Sequence, residues 1–393
     1  MKISNVYIGG WFQRTMLQLT EIYDFLRDCK SQLNLDPEKL QEFRKSLEIG
    51  KIDYGVAGEE YIEFTTALNM KVKVFEDGLI TVNNTNVSDD TLFADLDKIT
   101  DYYENKLSPA FNYLFSLGAP VPKELAHIET IYPYFIICDN VTKEDISDLL
   151  SRTEKQKYFE FSSEKYDVVR GDKYYFINNK KQSLENIEHY IESQVFIREF
   201  KGQLHRYLNI HRIIWEKIDN IKDKVNVKGS EIVKFTTKLE GYSKTVNLID
   251  GRINQMSTYI STREKIVKAD PELTEFLAIS GYRYETLRDT LNYIQYLWDM
   301  TQTHLNQAKS LFSEIKSDVT NSSVSNLTVV TSMSAGASLL GLLNESLPTV
   351  NLMGFVYFLI LALIGWISTK ILSFIGKQRK YEVTDVEYDK DIK

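Results

Sequence analysis

Residues 272–347 contain no proline, and from Tyr284 onward a seam of side chains recurs in steps of three and four. The seam runs Tyr284, Leu287, Leu291, Ile294, Trp298, Thr301, Leu305, Ala308, Phe312, Ile315, Val319, Ser322, Asn326, Val329 and Met333. A seven-residue repeat kept up over this length marks a helix with one packing edge. The stretch therefore predicts a single rod of roughly 100 Å, at about 1.5 Å per residue. Asp270-Pro271 opens it, with Asp as N-cap and Pro at the first helical position. Over its first half, the seam suits packing on a neighbouring helix of the same chain as well as contact between copies. Further along it turns polar at Ser322 and Asn326, which suits several copies standing around a wet axis.

Two more helices precede the rod. One is predicted from Ser183 to about Lys222 and ends near Val225–Gly229. Ser230 caps the next, which carries Ile232, Phe235, Leu239, Tyr242, Val246, Ile249, Ile253, Met256 and Ile260 at alternating spacing. Residues 1–180 read differently. Lys2–Ile8 is strand-like, and a helix is expected from about Gln13 to Cys29. Lys71–Val82 forms a hairpin turning at Asp77-Gly78, and Val168–Asn178 another around Arg170-Gly171-Asp172. Ser88 caps a helix reaching past Tyr102, and Thr130–Cys138 is apolar and β-rich. Strands interspersed with helices predict an α/β domain on a central sheet.

The far end of the rod is where the chain meets a membrane. Leu327–Leu343 carries no charge, nor does Val350–Thr369, and about twenty such residues span a hydrocarbon core of ~30 Å. The 326 residues before them hold no apolar run of that length. Lys370, Lys377, Arg379 and Lys380 follow the second run, while the loop between the runs has no Lys or Arg. The positive-inside rule then puts both termini in the cytoplasm, at the inner (plasma) membrane. The N-terminus has no apolar signal-peptide core, in agreement with that topology.

The first run also carries hydroxyls. Thr331, Ser334, Ser338 and Gly341 share one helical face, flanked by Thr328 and Ala335, while Val329, Met333 and Leu340 lie on the other. Two readings compete. Small and hydroxyl side chains hold helices together in lipid, or they line a water-filled pore. One hairpin cannot enclose a pore, so the second reading requires an oligomer.

The order of these segments resembles the CorA-like, two-transmembrane cation channels. The division is 1–180 α/β domain, 181–270 two long helices, 271–326 stalk, 327–349 first span and outer loop, 350–376 second span, and 377–393 basic collar with acidic tail. The resemblance implies a funnel-shaped homopentamer with the stalk and first span around the pore. Pore-lining residues are then Ser322, Asn326, Thr328, Thr331, Ser334, Ser338 and Gly341, with Asn344 and Glu345 at the outer mouth. The family's Gly-Met-Asn signature is departed from: this chain has Gly341-Leu342-Leu343-Asn344, with Asn one residue late. One residue turns a side chain about 100° around a helix, so selective Mg²⁺ transport is put in question while a cation pore is not. Divergent CorA-like proteins also accompany type III CRISPR systems. There they act as antiviral effectors opened by a nucleotide second messenger of the S-adenosylmethionine–AMP kind. Three functions are carried forward: such an effector channel, a transporter of Mg²⁺ or another divalent cation, and a membrane-anchored scaffold with no pore.

Charge and composition exclude other classes. A net charge of −8 argues against direct nucleic-acid binding. Two cysteines, Cys29 and Cys138, make no disulfide framework, and no catalytic constellation emerges, so no enzyme is expected. Gly9-Gly10, between a strand and a helix, is either a phosphate cradle or a plain tight turn. His205 and His211 are six apart, a spacing that does not suit zinc, and Trp215 and Trp298 read as packing residues. Asp250, Asp289 and Asp299 are the carboxylates that the resemblance would use to sense cations between subunits, against a plain solvated role. The tail beyond Tyr381 carries five acids and is expected to fold onto the Lys377/Arg379/Lys380 collar.

Overall fold

A computed structural model describes residues 2–342, apart from 14–17, 58, 86, 117–131, 154–155, 182, 223–225 and 270–273. Beyond 342 it describes nine helical positions between 356 and 378 and the strand 380–382. The chain divides into two compact units, Met1–Asn209 with Leu248–Tyr296, and Ile210–Asn247 with Leu297–Lys393.

The first unit is built on a nine-stranded sheet of order β2-β3-β4-β5-β1-β6-β9-β8-β7. Its strands are β1 Ile3–Trp11, β2 Ile49–Ala57, β3 Glu59–Thr66, β4 Met70–Phe75, β5 Leu79–Asn84, β6 Tyr134–Asp139, β7 Phe159–Ser162, β8 Tyr166–Arg170 and β9 Tyr174–Asn179. Every neighbouring pair is antiparallel except β6 with β9. Between the strands lie α1 Leu19–Asp28, α2 Pro37–Ser46, α3 Leu92–Tyr102, α4 Ser108–Ser116 and α5 Lys143–Thr153. One side of the sheet, with Val6, Ile8, Val72, Val74, Ile80 and Val82, forms a single core with apolar residues of these helices such as Phe25, Ile99 and Phe111. The other side carries Tyr7 and Trp11 and receives α6, Leu184–Lys222. Trp11 lies 5.6 Å from Phe196 and 5.2 Å from Phe200 of that helix. Alternation along one strand thus feeds two different layers.

Both expected hairpins form. Gly78 turns the first with φ +91°, and Gly171 N–H donates to Tyr174 O at 2.8 Å in the second. Two N-caps move. The helix expected from Ser88 begins at Leu92; Ser88 and Thr91 bond to each other through their hydroxyls at 2.9 Å instead. Ser230 lies within α7, Gly229–Ala269, rather than before it.

Gly9-Gly10 is a correction. These residues are not at a strand–helix junction but inside β1, opposite Thr81 and Ile80 of β5. A Cβ on Gly9 would lie 2.6 Å from Ile80 O and 3.1 Å from Val195 Cγ1 of α6. The glycine lets the helix approach the sheet, and its place mid-strand offers neither a phosphate cradle at a helix start nor a tight turn.

The rod exists as α8, Thr274–Leu342, a single helix of 69 residues. From Tyr284 to Ile315 every seam residue is at most 7% exposed within this one chain. In the first unit, for example, Tyr284 Oη lies 2.8 Å from Ser193 Oγ of α6. In the second unit Phe312 packs on Phe235 of α7 at 5.7 Å, and Trp298, 1% exposed, meets His211. Trp215 stacks on His304 at 4.3 Å, and His304 Nε2 lies 2.7 Å from Asp219 Oδ1. For this part of the seam, packing within the chain is the reading that holds. The second unit also holds an element that the sequence did not announce: β10, Asn226–Lys228, pairs antiparallel with β11, Lys380–Glu382.

Candidate functional site

A cleft of about 670 Å³ opens in the sheet-bearing unit, and cations dominate its polar lining. Arg170 reaches it from the end of β8, where the Gly171 turn stops the strand. Arg198, Lys201 and His205 come from α6 at i, i+3 and i+7, one face of that helix. Arg283 and Tyr282 come from the first turns of the described part of α8, and Tyr175 from β9. No carboxylate is among the described residues lining it.

The arginines are held in place by neutral groups. The Arg170 guanidinium sits over the Tyr175 ring at 5.3 Å, and that of Arg283 near the Tyr282 ring at 5.8 Å. Arg283 Nη1 donates to Gln194 Oε1 at 2.6 Å. Burial works against the Arg283 charge, yet bonding to Tyr282 and Tyr175 outweighs it and keeps its pKa above the ordinary value. In return Arg283 lowers the pKa of the Tyr282 phenol. Arg170 Nε and Gln194 Nε2 are buried with no acceptor among the described residues. The site therefore offers at least two spare donors.

A second charged hollow in the same unit is built differently. Lys73 Nζ of β4 lies 2.6 Å from Glu188 Oε2 and 3.8 Å from Glu192 Oε1, both on α6. Tyr7 Oη donates to Glu188 Oε1 at 2.8 Å and accepts from Asn83 Nδ2 at 2.8 Å. Burial alone would raise the Glu188 pKa; the Lys73 ammonium reverses that and lowers it. About 10 Å³ of space remains there, so nothing larger than a water enters.

The residues expected to line a pore all lie on α8 by backbone. At about 100° per residue, however, Ser322 and Asn326 share the helix face of Val329 and Met333, opposite Thr331, Ser334 and Ser338, so one straight helix does not turn both sets to one axis. Thr328 and Thr331 are exposed, and Thr328 Oγ1 donates to Val324 O at 3.0 Å. The side chains of Ser322, Asn326, Ser334, Ser338 and Gly341, and the whole of Asn344 and Glu345, lie outside the described residues. Among the described residues no helix is long and apolar enough to cross a membrane. Most of the two expected spans, 327–349 and 350–376, falls outside that description at side-chain level. Asp250 Oδ2 accepts from Asn254 Nδ2 at 3.2 Å, and Asp289 and Asp299 are exposed. Among the described residues no three His, Cys, Asp or Glu side chains converge as a metal site. His205 lines the cleft. The tail beyond Glu382 and its proposed fold onto the collar lie outside the description, except that Lys380 pairs with Lys228 in β11/β10.

The cleft escaped sequence reading because its cations come from three distant segments. One fragment was visible: Arg198, Lys201 and His205 form a basic stripe on a helix expected from Ser183 to about Lys222 and found at Leu184–Lys222.

No protein-family model matches the chain, and no curated protein matches it. Among solved structures it is similar to the CorA magnesium transporter from Methanocaldococcus jannaschii, with 10% identity and a TM-score of 0.28 over 63% of this chain and 90% of that one. This is a distant likeness of build, an α/β sheet domain followed by long helices.

Proposed function

We propose that the chain assembles as a membrane-inserted homo-oligomer, pentameric on the CorA-like resemblance, that conducts ions and is opened from its soluble part. The observation that carries the membrane reading is a bare apolar stripe. Val356, Ile360, Leu363, Ile367, Ile371 and Phe374 are helical, three or four apart, and 41–64% exposed. A surface of this kind is stable only when covered, and lipid covers it at no cost in polar groups. Trp366 stands beside the stripe with the Lys370 ammonium over its ring at 5.6 Å, a pairing suited to a bilayer interface.

The β10/β11 pair supports the hairpin topology. It holds the segment after the second apolar run against the turn between α6 and α7. Both therefore lie on one side of any bilayer, which agrees with a cytoplasmic C-terminus and a short outer loop. The hydroxyl face of 327–342 then supplies a polar path if it points to the oligomer axis. An effector opened by a nucleotide-type messenger is favoured over a Mg²⁺ transporter by two features: the shifted Asn344, and a soluble cleft whose charge repels divalent cations.

Reconstitution in liposomes tests the reading. The account expects a particle several times the mass of one chain and ion flux across the vesicle wall. A monomer, or an inserted oligomer that passes no ions, makes the chain a membrane-anchored scaffold instead.

A further inference from the structure

We propose that the cationic cleft of the sheet-bearing unit is the binding site for a phosphate-bearing nucleotide. The first support is uncompensated charge. Arg170, Arg198, Lys201 and Arg283 share one space, and none has a carboxylate partner among the described residues. Like charges gathered without counter-charges are held against their own repulsion until an anion enters. Guanidinium groups suit phosphate in particular, since their planar forks grip two oxygens at once.

The second support is hydrogen-bond accounting. A buried donor left without an acceptor costs roughly 1–3 kcal/mol. Arg170 Nε and Gln194 Nε2 both stand in that state, while Gln194 Oε1 accepts from Arg283. A ligand that brings only acceptors to this wall meets the need, and phosphate oxygens do so.

The third is size and mixed chemistry. The volume of about 670 Å³ lies within the range of roughly 300–1,000 Å³ usual for small-molecule sites, well above a lone phosphate. Tyr175, Tyr282, Ile197 and Leu287 add aromatic and apolar wall beside the cations. Tyr282 is 63% exposed, which leaves much of its ring open to a base beside Arg283. A divalent cation meets like charge and no carboxylate among the described lining residues, and a hydrophobic compound leaves the guanidinium groups unanswered.

The assignment rests on the soluble part being the ligand-sensing one, and not on the pore. Binding is therefore measured apart from flux, by calorimetry on the full chain in detergent at low salt, with ADP, pyrophosphate and adenosine as probes. ADP should bind at least tenfold tighter than adenosine. Arg198→Gln with Lys201→Gln should weaken ADP at least tenfold. Tyr282→Ala removes the ring together with a hydroxyl that Arg283 bonds, and should weaken ADP severalfold more than it weakens pyrophosphate. Lys143→Gln, on α5 away from the cleft, should change nothing, and unchanged melting curves should show each variant folded. ADP binding no tighter than adenosine overturns the proposal, as does wild-type ADP affinity in the Arg198/Lys201 variant. Pyrophosphate matching ADP, with Tyr282→Ala silent, overturns the nucleotide assignment. A protein that binds ADP yet conducts nothing leaves this site standing and removes only the pore; a conducting protein that binds no ADP does the reverse.

Discussion

Two clusters of charge in the sheet-bearing unit point opposite ways. Around Lys73 the charges are paired: Glu188 at 2.6 Å, Glu192 at 3.8 Å, and Tyr7 completing the bonds of Glu188. Around Arg283 the charges are alike, and their nearest partners are neutral amides and rings. The first cluster joins α6 to the sheet and leaves about 10 Å³ of space; the second surrounds about 670 Å³. Paired charge at low exposure is part of the fold, whereas unpaired charge around a void is a site awaiting a partner.

Removing one partner of the closed cluster should produce the largest effect. Lys73→Met leaves Glu188 and Glu192 facing each other with side chains 14% and 4% exposed. Breaking such a pair costs about 3–5 kcal/mol, read as a fall in the denaturant midpoint. A change below ~1 kcal/mol would mean that the cluster is more hydrated than its geometry says. The open cluster should behave oppositely. Arg198→Gln with Lys201→Gln removes repulsion and no ion pair, so stability should stay within about 0.5 kcal/mol of wild type, or rise slightly at low salt. A loss as large as that of Lys73→Met would place these cations in the fold and end the distinction.

The sequence carried the helices better than the sheet. The seam from Tyr284 to Ile315 was read residue for residue, because a helix repeats its burial every three or four residues and needs no distant information. The span Leu184–Lys222 and the hairpin at Gly78 came from equally local signals. What the seam packs against was not local. Its burial inside one chain depends on α6 and α7, so periodicity alone left contact between copies open. Gly9 was misplaced because a glycine needed for close helix approach looks, in sequence, like one needed for a turn. The cleft was out of reach for a related reason: Arg170, Arg198 and Arg283 meet only once β8, α6 and α8 are in place. The β10/β11 pair joins residues more than 150 positions apart through strands of three residues, too short to carry alternation.

The central claim is that the hydroxyl face of 327–342 lines a water-filled path between copies of α8. Cysteine accessibility tests it most directly. Cys138 is buried, with its thiol pKa pushed up to about 12 by that burial, so Cys29→Ser suffices as a quiet background. In liposomes, Ser338→Cys should let a charged, water-soluble thiol reagent block ion flux, while Leu340→Cys, on the opposite face, should leave flux unchanged. Block at Leu340→Cys with none at Ser338→Cys would contradict the account and turn the hydroxyls away from the path of the ions.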